Sequence, residues 1–223
     1  MIDRDQLRKD VIDQLSWDDR VDASQVEVEA GKGGRIRLSG VVASYTAYRA
    51  AESDALSVRG VRIVDNQLEI RHPSEVARED EEIRASLTGA LGWYPDIDGG
   101  KIQVGVDAGT VTLTGAVDSF WKKLKAEELA FDTAGVTWVV NELAVVPTQS
   151  IDDEAIAREI VGALERASDI LDPDRINVTV DRGLVTLSGS VSDWHGMTAA
   201  ENAARFTQGV VDVFNGLVVE QRK

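Results

Sequence analysis

Residues equipped for acid–base or nucleophilic chemistry are scarce in this 223-residue chain, which has two histidines and no cysteine. His72 and His195 have no ligand-spaced partner, and both read as solvent-exposed residues without a metal or general-base role. Gly40, Gly115 and Gly189 each follow a hydroxyl residue, but no lysine–hydroxyl pair comes after them, so they build no phosphate loop. They read as relief of backbone crowding at a strand exit. Asn66, Asn141 and Asn215 read as satisfied polar groups ending a strand. Three acidic clusters remain: Asp18, Asp19 and Asp22; Asp96 and Asp98; Asp169, Asp172 and Asp174. Hard cations such as potassium or calcium favour oxygen clusters of this kind. Asp96 and Asp98 with Asp107 faintly resemble a calcium loop, yet Lys101 stands where the sixth-position glycine is needed. Loop and helix-capping carboxylates are the plainer reading, with small-cation binding a lesser alternative. No catalytic residue, cofactor or metal is expected, and the chain does not read as an enzyme.

The other chemically distinctive residues are cationic. The chain carries 24 Lys and Arg against 39 Asp and Glu, for a net charge of −15, which argues against general nucleic-acid binding. Yet Lys122, Lys123 and Lys125 crowd behind Phe120 and Trp121. With Ala126 and Ala130 on the inner stripe of a helix, Trp121 and Leu124 fall on its far side as an exposed apolar pair. Lys125 then lies one turn from Trp121. Such a patch fits an anionic phospholipid surface or a protein partner. Ion pairs Lys123–Glu127 and Lys125–Glu128 would instead make it an ordinary solvated helix face.

The elements that place these residues repeat three times. The three glycines recur at offsets of 75 and 74, within RIRLSGVV, TVTLTGAV and LVTLSGSV. Gly60-Val61, Gly135-Val136 and Gly209-Val210 follow, and then Asn66, Asn141 and Asn215. The spacing predicts units at 1–73, 74–148 and 149–223, joined by His72-Pro73-Ser74 and Pro147-Thr148-Gln149-Ser150. In each, apolar residues recur every fourth position in an opening helix: Leu7, Val11, Leu15; Ile83, Leu87, Leu91; Ile156, Ile160, Leu164. Acidic residues fill the first turns at Asp80-Glu81-Glu82 and Asp152-Asp153-Glu154, where they complement the helix dipole. Two strands follow, joined by Gly31-Lys32-Gly33-Gly34, Asp107-Ala108-Gly109 or Asp181-Arg182-Gly183. A second helix then packs through Ala51/Ala55, Ala126/Ala130 or Ala200/Ala204, with Leu56, Phe131 and Phe206 assigned to the core, and a third strand closes the unit. The fold class is α+β, as three tandem two-layer domains. Each has a mixed three-stranded sheet with two helices covering one face and the other face open.

Each unit resembles the BON domain in element order and in the signature Leu38-Ser39-Gly40, Leu113-Thr114-Gly115 and Leu187-Ser188-Gly189, each with valine two residues on. The resemblance implies a non-enzymatic bacterial protein associated with phospholipid membranes and with osmotic or envelope stress. A soluble scaffold or holdase-like protein without lipid affinity is the alternative from another class. Most members of the family carry an export signal. Here the opening MIDRDQLRKDV lacks an apolar stretch, and the expected location is cytoplasmic as the chain is written, or periplasmic if a signal was removed. No apolar run reaches the roughly 20 residues of a membrane span.

Two further features bear on partners. Trp17 and Trp93 follow the opening helices of the first two units, where the third has Arg166; packing on their own loops and interfacial anchoring both fit. Trp93-Tyr94 is the candidate second lipid contact beside Trp121 and the lysines. On the open sheet face the third strand is polar in the first unit, at Asp65, Gln67 and Glu69. It is apolar at Trp138, Val140 and Ala144 in the second, and at Phe214 and Val218 in the third. The second and third units are expected to dock through these faces, or a second copy covers them in a homodimer.

Overall fold

A computed structural model describes residues 3–71 and 78–220. His72 and the expected boundary between 73 and 74 lie outside the described residues. In the first repeat α1 is Arg4–Trp17, β1 Val26–Ala30, β2 Arg35–Val42, α2 Tyr45–Ser57 and β3 Ile63–Ile70. The second repeat has α3 Asp80–Trp93, β4 Ile102–Asp107, β5 Thr110–Val117, α4 Phe120–Phe131, β6 Trp138–Asn141 and β7 Ala144–Val145. The third has α5 Asp153–Arg166, β8 Ile176–Asp181, β9 Leu184–Val191, α6 Trp194–Arg205 and β10 Asp212–Val219. The class is α+β, in three repeated units. The chain divides into two compact units: residues 1–88, 105–112 and 128–140, and residues 89–104, 113–127 and 141–223. The middle repeat contributes to both.

In the first sheet β1 runs antiparallel to β2, with Val28 opposite Leu38, and β2 runs parallel to β3, with Leu38 opposite Asn66. The third sheet repeats the pattern in β8, β9 and β10, with Val178 opposite Leu187 and Leu187 opposite Asn215. In the middle sheet the order is β4-β5-β6, and β7 also pairs with β5. The four-residue spacing of Leu7, Val11 and Leu15 puts all three on the buried stripe of α1, against Ile36, Leu38 and Leu68 from the sheet. Ile156, Ile160 and Leu164 do the same on α5 against Val185, Leu187 and Leu217. Ala51, Ala55, Ala200 and Ala204 are fully buried, and their methyl groups keep the second helix close to its sheet.

The hairpin turns explain residues that the sequence assigned otherwise. Ala108 and Gly109 have φ of 48° and 76°, and Arg182 and Gly183 have 52° and 77°. Two consecutive positive φ values form the primed turn that matches strand twist. The non-glycine member is held in place by an acid from the opening helix. Asp80 accepts from Ala108 N and Gly109 N at 2.8 and 2.9 Å, and Asp153 accepts from Arg182 N and Gly183 N at 2.7 and 2.9 Å. These carboxylates tie helix to hairpin, a role beyond offsetting the dipole. The first repeat has Arg4 three residues before Leu7, where the others have the acid, and there Gly33 and Gly34 take the positive φ themselves.

The marker glycines sit inside their strands and not at a strand exit: Gly40 pairs with Val26 and Gly189 with Ile176. At φ near 115°, a Cβ on Gly40 or Gly189 would overlap the carbonyl oxygen of Gln25 or Arg175. Two aromatic positions also differ from expectation. Phe206, assigned to the core, is 65% exposed. Phe120 is buried within the hydrophobic cluster of the third repeat, where Leu124 and Val145 pack beside it. Phe120→Ala is therefore expected to lower stability by about 3 kcal/mol or more, and Phe206→Ala to change it by less than about 0.5 kcal/mol. Urea denaturation of the full chain measures both, and equal losses would contradict the packing.

Candidate functional site

The cationic cluster begins where α4 leaves β5. Lys122 turns back on Asp118, with its Nζ 2.8 Å from one carboxylate oxygen and 2.9 Å from the other, and it lies 5.8 Å from the centre of the Trp121 ring. Lys125 reaches the loop after α3, its Nζ 5.4 Å from the centre of the Tyr94 ring. A cation over an aromatic face is attracted by the ring quadrupole. At the head of this helix Lys122 thus forms an ion pair with Asp118. Glu127, the partner of Lys123 in the alternative reading, accepts from Asn141 Nδ2 at 2.9 Å, while Lys123 offers the same amide its backbone carbonyl at 3.0 Å. The hydrogen bond from Lys122 holds the Asp118 carboxyl below the usual aspartate range.

The expected exposed pair is corrected. Trp121 is half-buried, and Leu124 packs on the third repeat's core, because the start of α4 carries Phe120 into that core. Trp93, by contrast, is 88% exposed and Trp17 is also open, so neither packs on its own loop. Within this patch the structure brings together Tyr94 and Lys125, and separately Trp121, Lys122 and Asp118. The freely presented aromatic surface is that of Trp93.

On the open sheet faces Trp138 is 53% and Phe214 69% exposed, with Val140 and Val218 also exposed. Trp138 meets Phe131 edge to face, at 6.4 Å between ring centres and 83° between planes. Phe131 in turn stacks on Tyr45, and Thr46 Oγ1 donates to Asp132 at 3.1 Å. The sequence reading missed Tyr45. Its signal lay in the register, because Tyr45, Phe120 and Trp194 recur at the same place in the three repeats.

The other polar candidates are occupied locally. Asp22 accepts from Ser24 N and Oγ, and Asp98 pairs with Lys101 at 3.1 Å. Among the described residues no group of three His, Cys, Asp or Glu could hold a metal ion. His195 is exposed. Asn66 donates to Tyr48 O at 3.3 Å and its Oδ1 accepts from Leu68 N at 3.3 Å, tying the middle of β3 to α2. Asn215 receives Leu217 N at 3.1 Å in the same way. A shallow depression lined by Asp169, Arg175, Ser190 and Gly196 marks the third repeat, and its Arg175 is engaged by Glu220. No described helix is long and apolar enough to cross a membrane.

The BON domain family model matches residues 3–72, 79–147 and 152–221. Osmotically-inducible protein Y of Escherichia coli (strain K12) is 28% identical over 190 residues, covering 82% of this chain and 92% of that protein. The C-terminal domain of CdsD, a structural protein of the type III secretion system of Chlamydia trachomatis, aligns over 98% of this chain and all of its own length. Its identity is 15% and its TM-score 0.27. The periplasmic domain of PrgH from S. typhimurium covers 88% of this chain and 95% of its own, at 13% identity and a TM-score of 0.23. Neither structural likeness is close enough to carry an argument about function.

The Lys122–Asp118 pair gives a direct check on the patch. Because the folded Asp118 is lowered, its contribution to stability is full above the ordinary aspartate pKa of about 3.9 and is lost as pH falls through the lowered value. Lys122→Ala should return Asp118 to ordinary titration in carboxyl-detected NMR. An unchanged midpoint would show that Lys122 does not set it.

Proposed function

The chain belongs to the BON domain family, and on that premise we propose that it is a non-enzymatic binding protein of three BON domains, at 1–73, 74–148 and 149–223. In this reading it associates with anionic phospholipid surfaces under osmotic or envelope stress. The observation that carries the proposal is the exposed indole of Trp93, next in the chain to Tyr94, whose ring faces the ammonium of Lys125. An interfacial indole with a neighbouring cation is the combination that headgroups accept. The kinship with an osmotically inducible protein supports the stress setting.

The expected strength is small. A lysine near an anionic leaflet contributes about 1 kcal/mol, and burying the Trp93 indole adds on the order of 2 kcal/mol. The sum is weaker than millimolar affinity, and the chain's charge of −15 opposes it. Lasting attachment therefore calls for several contacts at once, with Trp121, Lys122, Lys123 and Leu124 as lesser contributors at the patch margin. A second reading, a protein partner or a second copy over the Trp138–Val140 or Phe214–Val218 surface, is favoured by the exposure of those residues.

Flotation with vesicles settles which surface acts. The full chain should float with phosphatidylglycerol vesicles at low salt, lose that binding at high salt, and ignore phosphatidylcholine. Trp93→Ala with Lys125→Glu should cut the floating fraction several-fold. Equal flotation of parent and variant would remove the patch from the function. Absence of flotation, with a doubled mass in light scattering that Phe214→Asp abolishes, would favour the sheet-face reading.

A further inference from the structure

We propose that Asp18, Arg20 and Asp54 form a proton-gated latch in the first repeat, which holds the loop after α1 against α2 while Asp54 carries a proton and loosens when that proton leaves. The two carboxyl groups come from different elements. Asp18 ends α1, and Asp54 lies on the buried side of α2. Each residue is only 8% exposed.

Asp18 consumes the available cation. Its Oδ2 lies 2.5 Å from Arg20 Nη2, both of its oxygens accept from Arg20 Nε at 3.0 Å, and Oδ1 also accepts from Arg20 N at 2.9 Å. Its carbonyl accepts from Val21 N at 3.0 Å, so the loop is wound around this one residue. Asp54 has weaker support, from the Gln14 side chain and the charge of Arg20. Its Oδ2 is sealed from water with no hydrogen-bond partner. The groups facing it are the Gln14 side chain from α1, the Asp18 carboxyl and the Arg20 guanidinium.

Two buried carboxylates cannot both ionise comfortably beside one guanidinium that is already engaged. The orphaned oxygen is satisfied if it bears the proton itself and donates to the Asp18 carboxylate within reach. Burial, and then the Asp18 charge, raise Asp54 above its ordinary value, while hydrogen bonds from Arg20 hold Asp18 at about 2. The signs are opposite. Asp54, being raised, stabilises the fold fully below about pH 3.9 and ceases to do so as pH rises through its folded value. Asp18, being lowered, stabilises above about pH 3.9, and that contribution disappears towards pH 2. The latch is therefore tightest near the ordinary aspartate value and weakens on the alkaline side through Asp54 alone. The corresponding helix positions in the other repeats are Leu129 and Ala203, so the device belongs to the first repeat only.

Carboxyl-detected NMR and amide hydrogen exchange on the full chain test the latch without reference to lipid. Asp54 should titrate above the usual aspartate midpoint, with a matching second step in Asp18 as the pair shares its protons. After correction for intrinsic rates, protection of the Arg20 and Val21 amides should fall at least fivefold across the Asp54 transition. In Asp54→Asn, which keeps a hydrogen-bond donor but cannot ionise, that protection should stay level over the same range. Asp18→Asn gives an independent arm, because removing its charge should lower the Asp54 midpoint. An ordinary Asp54 midpoint, an Asp54 midpoint unmoved by Asp18→Asn, or equal loss of protection in Asp54→Asn would each overturn the proposal.

Discussion

Each repeat depends on how closely its second helix lies on the sheet. A three-stranded sheet with two helices on one face has little apolar area to bury, so its core must be tight. The paired alanines make that possible, since Ala51 and Ala55 or Ala200 and Ala204 add almost no thickness between helix backbone and strands. Close approach then allows the recurring asparagine to reach a helical carbonyl from the third strand, as Asn66 does with Tyr48 and Asn141 with Lys123. It also turns the long side chains of that helix away from its own sheet. Tyr45, which also stacks on Tyr48 of its own helix, meets Phe131 of the following repeat, and Phe120 lies in the core of the third.

The opening helix is tied down by a different means. Its apolar stripe buries against the sheet, and in the second and third repeats an acid in its first turn caps the distant hairpin. A turn with Ala108 or Arg182 at positive φ carries a conformational cost, and two backbone amides pointed at one carboxylate offset it. The first repeat makes its connection with a longer loop, Gly31 to Gly34, whose glycines take the positive φ, and does without the acid. The two solutions separate a local answer, which costs chain entropy, from a long-range one, which costs desolvation of a carboxylate.

The repeats, their element order and their buried stripes were legible because they rest on periodicity, which survives without knowledge of neighbours. Leu7, Val11 and Leu15 announce a helix face whatever lies opposite. The exposed pair at Trp121 and Leu124 was misread because the phase of a helix says which side faces its own sheet and nothing about what covers the other side. Phe206 was assigned to the core by its likeness to Phe131, yet Phe131 is buried because Tyr45 of the preceding repeat stacks on it. The Asp18–Asp54 pair was hidden for a related reason. Asp18 looked like one more loop carboxylate, and nothing within α2 distinguishes Asp54 from a surface acid until both are placed beside Arg20.

Phe120 begins the second helix of the middle repeat and lies in the core of the third. Its ring therefore belongs to one element by sequence and to another by burial. Side chains that share a core do not contribute independently, so a change that shifts the start of α4 is felt in the packing of the third repeat, and substitutions at the two places should not add. The boundary drawn by sequence repetition is in this respect not a boundary of cooperativity.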